Sequence, residues 1–285
     1  MGPTGSGKST FINIATEHDT GVGHSLESYT SEIGIFKLFY PELSDGDIVF
    51  VDTPGFDDTH KSDIDILKMI SEWLSETYKK NILLSGILYF HRITDNRMAG
   101  TPLKNLRMFE ELCGKNAFQN VILTTTMWDE VNEEVGKLRE EELIHKYWKS
   151  MMDRKSKTMR FENDRQSAFN VLAPLLESAN ERHAIRLQKE MVDMKYQLRE
   201  TSAGQAMFSK IEDLVKQKQD TLRRIRDEMK RPSDDRETMD GLRAKFRQLN
   251  VELDMMGDDM RALKLSVSDR LLKSVVSRLG VRVWR

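Results

Sequence analysis

Apolar residues along the chain follow two periods. Runs that alternate or are almost continuously apolar, at residues 33–40, 47–52, 82–90, 119–125 and 159–161, predict strands. Between them lie stretches of helical spacing, at 9–16, at 63–78 with Ile66, Ile70, Trp73 and Leu74, and around 168–176. Strands separated by helices predict an α/β unit with a largely parallel sheet. Pro41 and the turn residues Ser44-Asp45-Gly46 make the first two runs an antiparallel pair. From Ile185 the pattern becomes helical throughout. Leu187, Met191, Met194 and Leu198 are spaced 4-3-4, and Ile211, Val215, Leu222, Ile225 and Met229 follow less regularly. Arg231-Pro232-Ser233-Asp234-Asp235 breaks the run, and Leu242, Phe246, Leu249, Leu253, Met256, Met260 and Leu263 then alternate 4-3. Two such helices around a proline turn predict an antiparallel coiled-coil hairpin. The expected division is an α/β domain at 1–180, a hairpin at 181–265 and a tail at 266–285.

The chemistry concentrates at the start of the chain. Gly2-Pro3-Thr4-Gly5-Ser6-Gly7-Lys8-Ser9 fits GxxxxGK[ST], a loop whose backbone NH groups turn inward around phosphate oxygens and whose glycines permit close approach. Lys8 is expected to reach the β and γ phosphates and Ser9 to ligate Mg²⁺. Gly2, Gly5, Ser6, Gly7 and Thr10 complete this part of the expected nucleotide site. Such a loop normally follows a buried strand, yet only Met1 precedes Gly2. That first strand is therefore expected to be missing, leaving its two neighbours unpaired, and truncation at the true start is the favoured reason.

Thr30 lies 21 residues past Ser9, in a polar stretch where nucleotide switches place a threonine on Mg²⁺; Ser28 competes for the role. Asp52-Thr53-Pro54-Gly55 ends an apolar strand with a DxxG element. Asp52 can hold the magnesium shell through water, and Gly55 can present its NH to the γ phosphate. Phe56 stands where many small GTPases carry a water-positioning glutamine, so intrinsic hydrolysis is expected to be slow. In His91-Arg92-Ile93-Thr94-Asp95-Asn96-Arg97, Arg92 or Arg97 can serve phosphate charge in a partner subunit. In Thr126-Met127-Trp128-Asp129, the Asp129 carboxylate can accept from the ring NH and the exocyclic amino group of guanine, a donor pair that adenine lacks. Thr126 and Met127 stand where NKxD has asparagine and lysine; Met127 can form an apolar lid over the base, and residues 162–167 line its far side.

Charge adds one feature. The net charge is -2, but residues 1–180 carry 20 basic against 28 acidic side chains and residues 181–285 carry 24 against 18. The positive tail half suits an anionic partner. A single cysteine, Cys113, excludes an internal disulfide and fits a reducing compartment. No apolar run reaches the length of a membrane span. Residues 266–285 interleave five arginines or lysines with leucine, valine and Trp284, which suits weak contact with an anionic bilayer.

GPTGSGKSTFIN, SLESYTSEI, FVDTPGFDDT and TTTMWD together resemble the septin, chloroplast-import and immunity-associated (AIG-type) branch of P-loop GTPases, in the form common in fungi. The resemblance covers residues 2 to about 180. It implies a three-layer α/β/α P-loop NTPase fold, followed here by an α-helical coiled-coil extension. It implies GTP or GDP with Mg²⁺ as cofactors, Lys8, Thr30 and Gly55 as catalytic positions, and Ser9, Thr30 and Asp52 around the metal. It also implies a homodimer across the nucleotide face. The expected protein is a slow, Mg²⁺-dependent GTPase in the cytoplasm, with a protein partner for the coiled coil and no nucleic-acid partner. The alternative is an inactive pseudo-GTPase scaffold.

Overall fold

A computed structural model of the chain describes residues 1–17, 32–39, 47–58, 61–98, 100–177, 183–228 and 236–262. Helix α1 (Lys8–Thr16) follows the glycine loop and leads to strands β1 (Gly34–Leu38) and β2 (Ile48–Asp52), which pair antiparallel with Phe36 opposite Phe50. Helix α2 (Asp63–Lys79) starts at a Ser62 cap whose hydroxyl accepts from the Asp65 amide. Strand β3 (Ile87–Arg92), helix α3 (Thr101–Cys113), strand β4 (Val121–Thr126), helices α4 (Glu133–Glu142) and α5 (Lys149–Met152), strand β5 (Lys157–Arg160) and helix α6 (Arg165–Glu177) complete the α/β pattern. β3, β4 and β5 are parallel neighbours.

The residues before the loop are paired. The Met1 amine donates to the Leu88 carbonyl, the Phe90 amide to the Met1 carbonyl and the Phe56 amide to the Gly2 carbonyl, while Pro3 bridges Phe56 in parallel. Met1–Pro3 thus occupies the place of the end of a first strand and joins the two sheets. The expected gap is filled along this short stretch.

Alternation along the strands builds a core on each face. Phe90 and Ile122 share one core with Phe11, Phe50, Phe161 and the α6 residues Ala168, Val171 and Leu172. Phe11 lies at its centre, with the rings of Phe90 and Phe161 edge-on at 5.3 and 5.1 Å. On the other face Tyr89 meets Phe109 of α3 at 4.6 Å. α3 and α4 are additions to the elements expected from the sequence. β3 also starts later than expected, because 80–86 form a turn with Asn81 at φ 59° and Ile82 is 52% exposed. Continuous apolar residues there signal a half-exposed turn leading into the strand, not the strand itself.

The expected helix from Ile185 is a correction. The chain forms a short helix α7 (Arg186–Gln188), a π turn (Lys189–Asp193) and a 3₁₀ turn (Leu198–Glu200) before helix α8 (Ser202–Glu228). The cause is packing against the α/β layer. α7 lies on α2 and α3, Leu187 is fully buried, and Gln188 donates to the Leu74 carbonyl at 3.3 Å. Glu190 then accepts from the amide and hydroxyl of Ser202 at 2.9 and 2.6 Å, capping α8. The first compact unit accordingly runs Met1–Lys210, not to residue 180, and the second is Ile211–Arg285. In the second unit α8 continues beside helix α9 (Arg236–Ala262), with the Lys218 ammonium 5.3 Å from the Phe246 ring centre. The expected break at 231–235 and the basic tail at 266–285 lie outside the described residues. Among the described residues no helix is long and apolar enough to cross a membrane.

Candidate functional site

The loop sits at the carboxyl ends of the parallel strands, where α/β sheets bind ligands. Gly5 and Gly7 adopt φ 72° and 85°, values that side-chain-bearing residues rarely reach. The amides of Gly5, Gly7 and Lys8 make no hydrogen bond among the described residues, so three donors at the start of α1 remain free for an anion. Ser6 is fully buried with its hydroxyl oxygen unpartnered. Thr10 is half-exposed in the first turn of α1.

Lys8 is folded back into this loop. Its ammonium donates to the carbonyls of Pro3 and Gly2 at 2.8 and 3.3 Å. Burial pushes its pKa down from 10.5 to about 8, partly offset by the charges of Asp52 and Asp58. Asp58 accepts from the Thr4 hydroxyl at 3.4 Å. Its electrostatic part in the site escapes the motif reading; the signal available was only the acidic pair Asp57-Asp58 behind the DxxG element.

The Ser9 hydroxyl donates to Asp52 at 2.6 Å, bringing together two of the three residues expected around a metal. Asp52 is 3% exposed and its other carboxylate oxygen is unpartnered. The Ser9 hydroxyl and the orphaned Asp52 carboxylate oxygen are hard oxygen donors of the kind Mg²⁺ takes, and the free amides beside them suit phosphate oxygens. Thr30, the third expected residue, and Ser28 lie outside the described residues.

DxxG and the loop interlock by backbone. Thr4 donates to the Phe56 carbonyl at 2.8 Å, and a Cβ on Gly55 would stand 2.5 Å from the Thr4 backbone. Only glycine fits there. Phe56 is fully buried, so its side chain is part of the packed interior.

Thr126 is nearly buried, and its hydroxyl donates to the Ser6 carbonyl at 3.1 Å and the His91 carbonyl at 3.4 Å. It ties the end of β4 to the loop. Thr126, an expected cofactor residue, thus holds the backbone of the loop. Met127 adopts φ 60° and turns the chain so that Trp128–Glu130 forms a 3₁₀ turn. Asp129 is exposed there, and no described residue pairs with it. Behind it Trp128 donates to the Thr125 hydroxyl at 3.0 Å and carries the Arg160 guanidinium 3.9 Å above its ring. Ser167 accepts from the Glu162 amide at 3.1 Å, closing the turn expected on the far side of a base.

The segment after β3 splits in two. His91 is buried edge-on to Trp148 at 6.1 Å, and burial lowers its pKa to about 4. It belongs to the core, not to the polar loop expected from the sequence. Arg92 bridges to Asp95 at 3.1 Å and lies over its own loop, its Nη1 3.4 Å from where a Gly5 Cβ would be. Arg97 is exposed.

Residues 1–126 match a family model described as 50S ribosome-binding GTPase (MMR_HSR1). Curated proteins yield no match. The fold is shared with Toc33 from Arabidopsis thaliana. The structure of Toc33 in complex with GDP and Mg²⁺ aligns at TM-score 0.51 and 18% identity over 65% of this chain and 84% of that one. A dimerization-deficient mutant of Toc33 aligns at 0.50 and 18%, over the same shares. A third structure, from work on the GTPase activity of the chloroplast translocon components atToc33 and psToc159, aligns at 0.52 and 15% over 65% and 83%.

Proposed function

We propose that this chain, whose amino-terminal part is a P-loop GTPase domain, is a switch or assembly GTPase that turns over slowly alone and faster when two copies pair across the nucleotide face. The observation that carries the reading is the Ser9–Asp52 hydrogen bond beside three free loop amides and the buried Lys8. With GTP present, Lys8 leaves the Gly2 and Pro3 carbonyls for the β and γ phosphates. Ser9, and Asp52 through water, would hold Mg²⁺, which would supply neutralisation of phosphate charge. Gly55 lies against Thr4, where its NH can meet the γ phosphate, and Asp129 selects guanine.

Slow intrinsic turnover follows from Phe56, whose buried ring offers nothing to orient water. Arg92 is committed to Asp95 and its own loop, which leaves the exposed Arg97 as the arginine free to enter a second subunit. Dimerization is important for the GTPase activity of atToc33 and psToc159, and the shared fold makes the same arrangement reasonable here. The two long helices serve a protein partner as a coiled coil, the basic tail adds weak membrane contact, and the protein works in the cytoplasm.

GTP hydrolysis per protomer, followed over a wide dilution series, tests this reading. The rate should fall on dilution, and Arg97→Ala should hold it at the diluted value while leaving GDP affinity unchanged; an arginine in trans is worth about 10³ to 10⁵ in rate. A rate independent of both concentration and Arg97 overturns the pairing. The buried Phe56 also favours a second reading, a pseudo-GTPase scaffold, which predicts GTP binding with no turnover at any concentration.

A further inference from the structure

At the opposite ends of the strands, away from the phosphate loop, lies a second cavity of about 440 Å³. It is lined by the 3₁₀ turn before β4 (Lys115, Asn116, Gln119), the turn before β5 (Asp153, Arg154, Lys155), and His183 and Lys189 near α7. The volume falls within the range of small-molecule sites, roughly 300–1,000 Å³.

Its charge is the unusual feature. Residues 1–180 are net acidic, with 28 carboxylates against 20 basic side chains, yet four basic side chains meet here around a single acid. That acid, Asp153, is already held by Lys149 at 3.1 Å. Elsewhere on the domain, helix lysines are neutralised by carboxylates one turn away, as in Lys79–Glu76, Lys137–Glu133 and Lys146–Glu142. Among the described residues no carboxylate pairs with Lys115, Lys155 or Lys189. Arg154 spends one NH on the Ser150 carbonyl and keeps the rest of its fork.

The walls are fixed independently of any ligand. Ser156 donates to the Phe118 carbonyl at 2.7 Å, tying the two turns together, and Arg186 pairs with Glu111 beside Gly114 at the start of the 3₁₀ turn. Lys155 is itself held at φ 71°, a conformation that three neighbouring backbone hydrogen bonds close around. Convergent unpaired cations on a rigid, concave, polar frame suit a compact ligand of high negative charge density, more than a flat or flexible surface.

We propose that this cavity is a second anion site, distinct from the nucleotide loop, which takes a ligand bearing two or more phosphate monoesters. Such groups occur both in soluble inositol polyphosphates and in phosphoinositide headgroups of membranes. Lys115, Lys155 and Lys189 supply point charges and Arg154 a bidentate contact.

The test measures binding of inositol trisphosphate by titration calorimetry, and cosedimentation with phosphatidylcholine vesicles with and without phosphatidylinositol bisphosphate. The full chain is used, and every variant that keeps its GDP affinity is saturated with GDP and Mg²⁺. Comparison variants are Lys155→Glu/Lys189→Glu and Lys8→Ala. Binding of inositol trisphosphate, weakened at least tenfold by the double charge reversal and retained in Lys8→Ala, is the expected result. Vesicle binding that also needs the bisphosphate lipid and the two lysines assigns the membrane source; its absence assigns the soluble one. No binding of inositol trisphosphate, or binding that survives the double reversal, overturns the site. Binding lost only in Lys8→Ala likewise overturns it, by returning the ligand to the loop. An unchanged circular dichroism spectrum and GDP affinity in the double variant show that its effect is not misfolding.

Discussion

The two halves of the proposed nucleotide site are built differently. The phosphate half is closed and local: three free amides, a lysine held by two carbonyls and a serine on an aspartate, all resting on backbone contacts between residues 1–9 and 52–58. The base half is open and sparse, an exposed Asp129 on a turn that Thr126 ties to the loop through one hydroxyl. Phosphate is recognised by backbone that must be pre-shaped, so its frame exists without ligand. A base is recognised by side chains that can wait in solvent.

The largest effect expected from breaking this contrast is Lys8→Ala, which should cost GTP, GDP and ATP alike about a hundredfold or more in affinity, since a charged group leaves the phosphates. Stability should move the other way or hold. A pKa of about 8 in place of 10.5 means that the buried charge costs the fold roughly 3 kcal/mol at neutral pH, against two lost hydrogen bonds of about 1 kcal/mol each. Thermal melting of the nucleotide-free variant at or above the parent's temperature supports the account; a clear drop shows Lys8 to be structural.

Asp129→Asn comes next and should act on the base alone. Loss of about tenfold or more in GTP affinity, with a relative gain for xanthosine triphosphate and no change for ATP, is expected because an amide donates where two acceptors are needed. Competition titrations separate the three nucleotides. Thr126→Val links the halves and should weaken every nucleotide by a smaller factor. Its lost hydrogen bond is worth about 1 kcal/mol, and the Ser6 carbonyl left behind lowers the melting temperature as well.

The smallest effect is on pH. In the free protein Lys8 is half neutral near pH 8, and bound phosphates restore its proton. Nucleotide binding should therefore take up a proton near pH 8 and weaken as pH rises above it, while staying nearly flat from 6 to 7. The nucleotide-free fold shows the opposite trend. Between about 8 and 10.5 the unfolded chain holds more protons, so stability contributed by this group rises with pH. Calorimetry in buffers of different ionisation heat reads the proton directly.

The same contrast explains what the sequence made legible. The loop, Ser9, Asp52 and Gly55 are readable because their chemistry is fixed by neighbours in the chain. Asp58 and the placement of Arg92 over Gly5 are not, since each depends on how distant segments meet. His91 reads as polar and is core, because its burial is decided by Trp148, 57 residues away. The heptad-like spacing of Leu187, Met191 and Leu198 misleads for a similar reason. Apolar spacing shows that a face is buried and not against what, and here the α2–α3 layer takes the face and breaks the helix. The basic cavity leaves no linear trace, as its cations come from three separate segments.

Guanine-nucleotide binding in a site assembled from both halves is the central proposal. Its most direct test is the affinity of the chain for GTP and for ATP, measured side by side with Mg²⁺. The account predicts GTP binding tighter by at least about tenfold, from the two acceptors Asp129 offers to guanine and the repulsion that adenine meets there. Equal affinities for the two nucleotides would contradict it.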